Sequence, residues 1–187
     1  MTIPEFISTY NRLGKQLDTK LTPVEAHVPK EIHSDSWKYD YALITVKEDL
    51  SNYFHFDLGN PYNVKQSMYT DIPVYVTGCP MCIYGNDNEL KRLYTGQGKI
   101  VDDIKGLSYI DKENEYDCIH YDVDTSGGNS GSPVYTITKN RINNRIIYSY
   151  TAIGIHSGDP YGKWNHGPEM SRALIQFYKN NEKANHC

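Results

Sequence analysis

The chain has 187 residues, enough for one domain or for two small domains packed together. Its 19 basic and 23 acidic side chains give a formal charge of −4, and no basic stripe carries interleaved aromatic residues, so the composition argues against a nucleic-acid binder. No run reaches the roughly 18 apolar residues of a membrane span, and no signal peptide is visible after Met1.

Apolar runs bounded by Gly, Pro or Asn predict a series of short strands in the first half of the chain. These strands lie at residues 24–28, 37–46, 72–77 and 92–101. The first is typical of an edge strand and stops at Pro29. Residues 1–21 show no clear period, and residues 47–65 resemble a loop. Gly96 and Gly98 fall inside the last strand and predict bulges or bends there.

The second half continues the strand pattern and then changes period. Strands are predicted at 116–123, 133–138 and 145–156, with a turn at 141–144 and a loop at 161–167. Residues 169–180 predict a helix because apolar residues recur there at helical spacing. They are Met170, Ala173, Leu174, Phe177 and Tyr178. Pro168 is a good helix-start residue. Many short strands with one terminal helix favour an all-β barrel or sandwich.

The four cysteines are Cys79, Cys82, Cys118 and Cys187, which allow three pairings that the sequence does not distinguish. Cys79 and Cys82 form a C-x-x-C motif, which occurs in redox sites and in zinc sites. A redox site would need a βαβ context, and a zinc site would need a second close pair of ligands. Neither is evident, so two thiols in a turn are the favoured interpretation and an intracellular zinc site is the alternative. We expect no metal and no cofactor.

A glycine-dense decapeptide, DTSGGNSGSP at residues 124–133, separates two of the predicted strands. Three glycines within five positions allow a tight turn and leave backbone N–H groups uncovered by side chains. Ser130 lies in the middle of this turn, where its hydroxyl and the nearby amides would supply a nucleophile and donors for the oxyanion of acyl transfer. A surface turn without chemistry is the alternative, and the length of the string favours a catalytic origin.

Residues 125–133, TSGGNSGSP, resemble the nucleophile motif of chymotrypsin-fold serine endopeptidases, specifically the bacterial glutamyl endopeptidase branch. DYALI at 40–44 is similar to the strand that follows the triad acid, and VTGCP at 76–80 is similar to a strand and turn of the second barrel. AIGIH at 152–156 is similar to the strand that lines the specificity pocket. The resemblance implies an all-β, double β-barrel trypsin-like fold with an incomplete first barrel and a C-terminal α-helix.

The resemblance also implies catalytic roles. Ser130 would be the nucleophile and Asp40 the triad acid. The backbone N–H groups of Gly128 and Ser130 would form the oxyanion hole. On its own, Asp40 would be interpreted as an acid in a surface turn, and its assignment rests on the ordered set of matches.

Four further residues match positions that contact the substrate. Thr125 and His156 match the positions that bind the glutamate side chain, and a hydroxyl and an imidazole are donors suited to a carboxylate. A barrel histidine with a local hydrogen bond is the alternative for His156. Ser157 and Gly158 would form the strand edge that pairs with the substrate backbone.

The general base is where the chain departs from the family pattern. In this fold a histidine precedes the acid, in a segment like TAAHC, and the 39 residues before Asp40 contain no such segment. His27 and His33 lie there without the motif around them. We therefore expect that the general-base histidine is absent and that the chain begins inside the first barrel. Residues 1–58 would be the remnant of the first barrel, and residues 59–187 would be the second barrel with the terminal helix.

The sequence thus predicts a serine-type endopeptidase that cleaves after glutamate through an acyl-enzyme and is impaired because the base is missing. A non-catalytic relative that binds acidic peptides or a protein partner is the alternative. The expected partner is a polypeptide substrate, with neither nucleic acid nor membrane involved. The resemblance implies secretion, although this chain shows no signal peptide.

Overall fold

A computed structural model of the protein describes residues 7–10, 16–33, 37–59, 72–80, 93–101, 118–159, 162 and 164–182. These residues form strands, two short 3-10 helices at Lys30–His33 and Trp37–Tyr39, and one α-helix. The strands are β1 Ile7–Tyr10, β2 Gln16–Leu21, β3 Pro23–His27, β4 Leu43–Val46, β5 Asp57–Leu58, β6 Pro73–Gly78, β7 Tyr94–Lys99, β8 Cys118–Tyr121, β9 Pro133–Ile142, β10 Arg145–Ile155 and β11 Asn165–Pro168, and the helix is α1 Arg172–Glu182. None of the described helices is long and apolar enough to cross a membrane.

The largest sheet has the strand order β5-β10-β9-β6-β7. Its neighbours are antiparallel, except that β5 runs parallel to β10. β8 pairs with β11 in a separate two-stranded sheet, and the main core lies between β8 and the large sheet. This core contains Val74, Val76, Ile100, Ile119, Tyr121, Val123, Val134 and Ile153. In this core, Tyr121 at the end of β8 and Val123 pack with Val134 of β9 and Ile153 of β10. The chain that follows Val123 leads directly into the Ser130 turn.

The β9–β10 hairpin is longer than the sequence pattern predicted. β9 continues to Ile142, and the turn consists of Asn143 and Asn144, whose φ angles are 49° and 62°. Two consecutive residues with positive φ match the right-handed twist of the flanking strands, and asparagine tolerates this conformation better than most residues. The predicted strand ended too early because the polar residues Lys139 and Asn140 interrupt the apolar pattern, whereas their backbones continue the ladder.

The strand predicted at 37–46 is only partly correct. β4 covers its second half, while residues 37–39 form a 3-10 helix and the N–H of Asp40 donates to the carbonyl oxygen of Trp37 at 3.1 Å. Two aromatic residues of this segment, Trp37 and Tyr41, pack against different elements of the fold. The ring of Trp37 lies 4.8 Å from that of His166, and the ring of Tyr41 lies 5.2 Å from that of Phe177.

Gly96 and Gly98 were predicted to mark bulges or bends, and the structure excludes bulges at both positions. The register of β6 and β7 is uninterrupted from Pro73–Lys99 to Gly78–Tyr94. A side chain at either glycine would instead collide with the segment after β8. A Cβ added at Gly96 would lie 2.7 Å from Cγ1 of Val123, and one added at Gly98 would lie 2.8 Å from the backbone nitrogen of Val123. These glycines therefore allow β7 to approach the chain that leads to Ser130.

Four strands lie where the sequence predicted none. β1 and β2 pair within the unpatterned first segment, β5 lies in the predicted loop at 47–65, and β11 overlaps the predicted loop at 161–167. β5 and β11 have too few residues for a period to show, and they pair with strands distant in sequence. The predicted domain boundary after residue 58 falls at the end of β5 and stays a prediction.

The terminal helix is confirmed, but it begins later than predicted. Pro168 belongs to β11, and α1 starts at Arg172 after Ser171, whose hydroxyl oxygen accepts the N–H of Leu174 at 3.3 Å as a helix cap. Met170 and Leu174 pack with Ala152 of β10, which joins the helix to the large sheet. Cys82 and Cys187 lie outside the described residues, and within the described part no group of His, Cys, Asp and Glu could hold a metal ion.

Candidate active site

Ser130 lies in a compact turn that its glycines make possible. The N–H of Asn129 donates to the carbonyl oxygen of Ser126 at 3.1 Å, and the N–H of Ser132 donates to that of Asn129 at 3.0 Å. Gly128 and Gly131 flank this centre with φ angles of 98° and 82°. Most other residues avoid these values because their Cβ would clash with the backbone. The glycine density in the sequence is therefore a requirement of the turn.

Backbone hydrogen bonds hold this turn against the end of β10. The N–H of Gly131 donates to the carbonyl oxygen of His156 at 2.8 Å, and the N–H of His156 donates to that of Ser132 at 2.9 Å. The exposed hydroxyl of Ser130 donates to the carbonyl oxygen of Ser157 at 3.1 Å. The Ser130 turn and the segment at His156 and Ser157, which both carry predicted site residues, are thus held together.

The amides that were predicted to bind an oxyanion are available for a ligand. Neither the N–H of Gly128 nor that of Ser130 takes part in the backbone hydrogen bonds found among the described turns and loops. Both residues are exposed. Amide donors beside a serine hydroxyl are the groups that an oxyanion hole requires, and the assignment of these two amides to one stays a prediction.

A cleft of about 420 Å³ opens beside Ser130. Its walls include all four residues predicted to contact substrate, namely Thr125, His156, Ser157 and Gly158. They also include Trp164 and Asn165. The cleft therefore brings the four predicted contact residues together beside Ser130.

His156 is almost fully buried at the cleft, with 3% of its surface exposed. The hydroxyl of Tyr121 lies 2.6 Å from its Nδ1. Burial lowers the pKa of His156 and raises the pKa of Tyr121. Both side chains are therefore neutral at pH 7, and His156 can act towards a ligand as a hydrogen-bond partner without a charge.

Thr125 is already engaged in the absence of a ligand. Its hydroxyl donates to Oδ1 of Asn165 at 2.7 Å. The side-chain amide of Asn165 donates in turn to the carbonyl oxygen of Val123, which fixes the orientation of Asn165. A threonine hydroxyl has one hydrogen, so Thr125 must rotate away from Asn165 before it can donate to a substrate carboxylate.

The strand edge at Ser157 and Gly158 is also partly occupied. The N–H of Ser157 and that of Gly158 donate to the carbonyl oxygen of His166 at 2.9 and 3.3 Å, and the N–H of His166 donates to that of Gly158 at 2.8 Å. The group of this segment that faces Ser130 is the carbonyl oxygen of Ser157. The amides of both residues are thus held by β11, and the carbonyl oxygen of Ser157 is held by the Ser130 hydroxyl, so pairing with a substrate backbone would require some of these bonds to be exchanged.

The assignment of Asp40 as the triad acid stays a prediction. Asp40 is exposed and does not line the cleft, and its carboxylate makes no hydrogen bond to a described histidine side chain. Nε2 of His27 lies 3.3 Å from a carboxylate oxygen of Glu25 in the same strand. The side chain of His33 lies outside the described part. Among the described side chains, His156 is the one histidine that lines the cleft.

Sequence reasoning missed Tyr121 and Asn165, which hold the two predicted substrate-binding side chains. Tyr121 lies in β8, a strand whose residues are all buried, so its pattern indicated a core aromatic and nothing more. Asn165 lies in a segment predicted as loop. No signal within the sequence linked either residue to its partner, because both contacts join residues 35 or more positions apart.

Comparison with known proteins agrees with the predicted fold and family. The profile of the trypsin-like peptidase domain family matches residues 2–142. Glutamyl endopeptidases of Staphylococcus epidermidis are 30% identical over 144 residues, which is 76% of this chain. The chain covers 42% of the length of these relatives.

Solved structures show the same fold at lower identity. A Glu endopeptidase in complex with MPD superposes with a TM-score of 0.67 at 18% identity, covering 95% of this chain and 72% of that chain. The inactivated protease paralogue S-I1 of the scabies mite superposes with a TM-score of 0.56 at 13% identity, covering 86% and 68%. The predicted all-β trypsin-like fold with a C-terminal helix is thereby confirmed. The chain belongs to the trypsin-like peptidase domain family, whose members are hydrolases of polypeptides.

Proposed function

We propose that this chain carries the nucleophile and the substrate cleft of a serine endopeptidase that cleaves after glutamate. The observation that supports this most is the exposed hydroxyl of Ser130 beside the unengaged amides of Gly128 and Ser130, at the mouth of a cleft that contains His156. Oγ of Ser130 would attack the peptide carbonyl while its proton passes to a general base, and the two amides would stabilise the oxyanion of the tetrahedral intermediate. That intermediate would collapse to the acyl-enzyme as the base returns the proton to the leaving amine, and water would then hydrolyse the acyl-enzyme.

Glutamate is the side chain that this cleft would take. The neutral imidazole of His156 supplies a donor at one wall, and the hydroxyl of Thr125 supplies a second donor after it leaves Asn165. The name of the staphylococcal relatives, glutamyl endopeptidase, supports the same choice. By the same resemblance we propose that the enzyme acts outside the cell.

The proton of Ser130 needs an acceptor that the described side chains do not provide. The hydroxyl donates to the carbonyl oxygen of Ser157, and a carbonyl is too weak a base to take the proton. This observation favours a second candidate function, in which the chain binds acidic peptides in the cleft without hydrolysing them.

A panel of fluorogenic peptides tests the proposal. The peptides differ only in the residue before the scissile bond, which is glutamate, glutamine, lysine or phenylalanine. We expect cleavage of the glutamate peptide at a kcat/KM at least about tenfold above the glutamine peptide, because a charged partner strengthens each hydrogen bond by about 1 kcal/mol or more. Equal cleavage of all four peptides would contradict the specificity, and binding of the glutamate peptide without cleavage would favour the second candidate.

Carboxylates at the cleft make a separate prediction about its charge preference. Asp122, Asp124 and Asp159 line the cleft, and the described lining contains no lysine or arginine. Replacing Asp124 by asparagine removes a like charge, so kcat/KM for the glutamate peptide should rise about twofold to fivefold at low salt and less at high salt. Asp57→Asn, at an exposed position outside the cleft, is the control. A fall in kcat/KM for both the glutamate peptide and the lysine peptide would show that Asp124 supports the turn instead of repelling the substrate.

A further inference from the structure

We propose that Tyr121 is a positioning residue that fixes the ring orientation and the tautomer of His156, so that Nε2 presents a hydrogen to the ligand in the cleft. The identity of that ligand as a glutamate side chain rests on the proposed function. The assignment of the tautomer does not, because it follows from contacts within the chain.

The contact between the two side chains is short and fully enclosed. Tyr121 has no exposed surface, His156 has 3%, and the hydroxyl oxygen lies 2.6 Å from Nδ1. The ring centroids are 6.0 Å apart at an angle of 59°. The backbone of each residue is held independently, since Tyr121 pairs with Asn165 of β11 and the N–H of His156 donates to Ser132. The hydroxyl and Nδ1 therefore meet in a geometry that neither side chain can easily leave.

The direction of the hydrogen bond follows from the acidity of the two groups. Burial opposes ionisation of both, so a neutral phenol faces a neutral imidazole. A phenol is the stronger donor and an unprotonated imidazole nitrogen is the stronger acceptor. The Tyr121 hydroxyl accordingly donates to Nδ1, which leaves the ring hydrogen on Nε2.

This tautomer determines which ligands the cleft accepts. With Nε2 protonated, His156 donates to a carboxylate oxygen. With the opposite tautomer, Nε2 would present a lone pair, which repels a carboxylate and accepts the amide hydrogen of glutamine instead. The hydroxyl of Tyr121 thus contributes to the discrimination of glutamate from glutamine although it does not line the cleft.

Tyr121→Phe is the test because it keeps the ring and removes the hydroxyl. Tyr135→Phe is the matched control, since it removes a largely buried hydroxyl that bonds to Thr77 at 2.9 Å, away from the cleft. In the full ¹⁵N-labelled chain, long-range imidazole spectra should show the Nε2–H tautomer of His156 in the wild type and in the control, with His156→Gln identifying the resonances. Tyr121→Phe should give a mixture of tautomers. An Nδ1–H tautomer in the wild type, or an unchanged spectrum in Tyr121→Phe, would overturn the proposal.

Ligand binding supplies the second measurement. Calorimetry would use an acetylated trialanine peptide that ends in glutamate and its counterpart that ends in glutamine. Tyr121→Phe should lower the glutamate-to-glutamine affinity ratio about fivefold, the factor for one net hydrogen bond, and Tyr135→Phe should leave the ratio unchanged. An equal fall in both variants would overturn the proposal. A wild type without preference for glutamate would contradict the proposed function, and the imidazole spectra would still decide the role of Tyr121.

Discussion

Replacing Ser130 by alanine is expected to abolish cleavage of the glutamate peptide while leaving its binding within about twofold of the wild type. The substitution removes the only atom proposed to form the acyl-enzyme, and the backbone amides and the cleft stay in place. In serine peptidases with a complete set of catalytic groups, loss of the nucleophile costs about 10⁶-fold in kcat. The fall measured here would be smaller if the wild type starts from an impaired rate.

The measurement combines release of the fluorogenic product with binding of the peptide by calorimetry. Ser149→Ala is the control, because Ser149 lies in β10 outside the cleft, and it should keep the wild-type rate. Equal rates for the wild type and Ser130→Ala would contradict hydrolysis by this chain. If both chains then bound the glutamate peptide equally well, the non-catalytic alternative would account for the cleft.

Replacing Gly167 by alanine is expected to give the largest loss of stability of any single methyl group added to a described glycine. The new Cβ would lie 1.7 Å from the carbonyl oxygen of Ile155 and 3.0 Å from the backbone nitrogen of Ser157. Neither atom can turn aside as a side chain would, because both belong to the backbone that carries His156. We expect the free energy of unfolding to fall by about 3 to 5 kcal/mol, at or above the upper end for overpacked sites.

Urea denaturation followed by circular dichroism would measure this loss. Gly127→Ala is the matched control, since a Cβ at Gly127 meets nothing within 4 Å. Its effect on stability should stay within about 0.5 kcal/mol. A loss below about 1 kcal/mol for Gly167→Ala would show that β10 and β11 separate easily, and it would argue against a firmly held cleft.

The parts of the fold that the sequence could predict are those with a local signal. The Ser130 turn is apparent from its glycines, because left-handed φ angles at Gly128 and Gly131 require that residue type. β6 and β10 are apparent from runs of β-branched and aromatic residues. Gly96 and Gly98 were correctly noticed and wrongly explained, because the atoms that exclude a side chain there belong to Val123 and its neighbours, more than twenty positions away.

The candidate site shows the same limit. Matching of motifs singled out Thr125, Ser130 and His156, and the structure brings all three to one cleft. Motif matching could not reveal that the hydroxyl of Tyr121 bonds to Nδ1 of His156 or that the hydroxyl of Thr125 donates to Oδ1 of Asn165. Those contacts depend on how β8 pairs with β11 and packs against β10, which is tertiary information. Asp40 was matched by its order along the chain, and its role as the triad acid stays a prediction.

Because the Ser130 turn is attached to the end of β10, the cleft can form only late in the synthesis of the chain. The turn at Gly131 and Ser132 is held by the backbone of His156, and the carbonyl oxygen of His166 holds the next segment. None of these bonds can form before the later partner has been synthesised and has folded. Ser130 is therefore synthesised before His156, Ser157 and His166, which hold its turn and the adjoining wall of the cleft. Until β11 has been synthesised, the segment at Ser157 lacks the bonds to His166 that hold it beside Ser130.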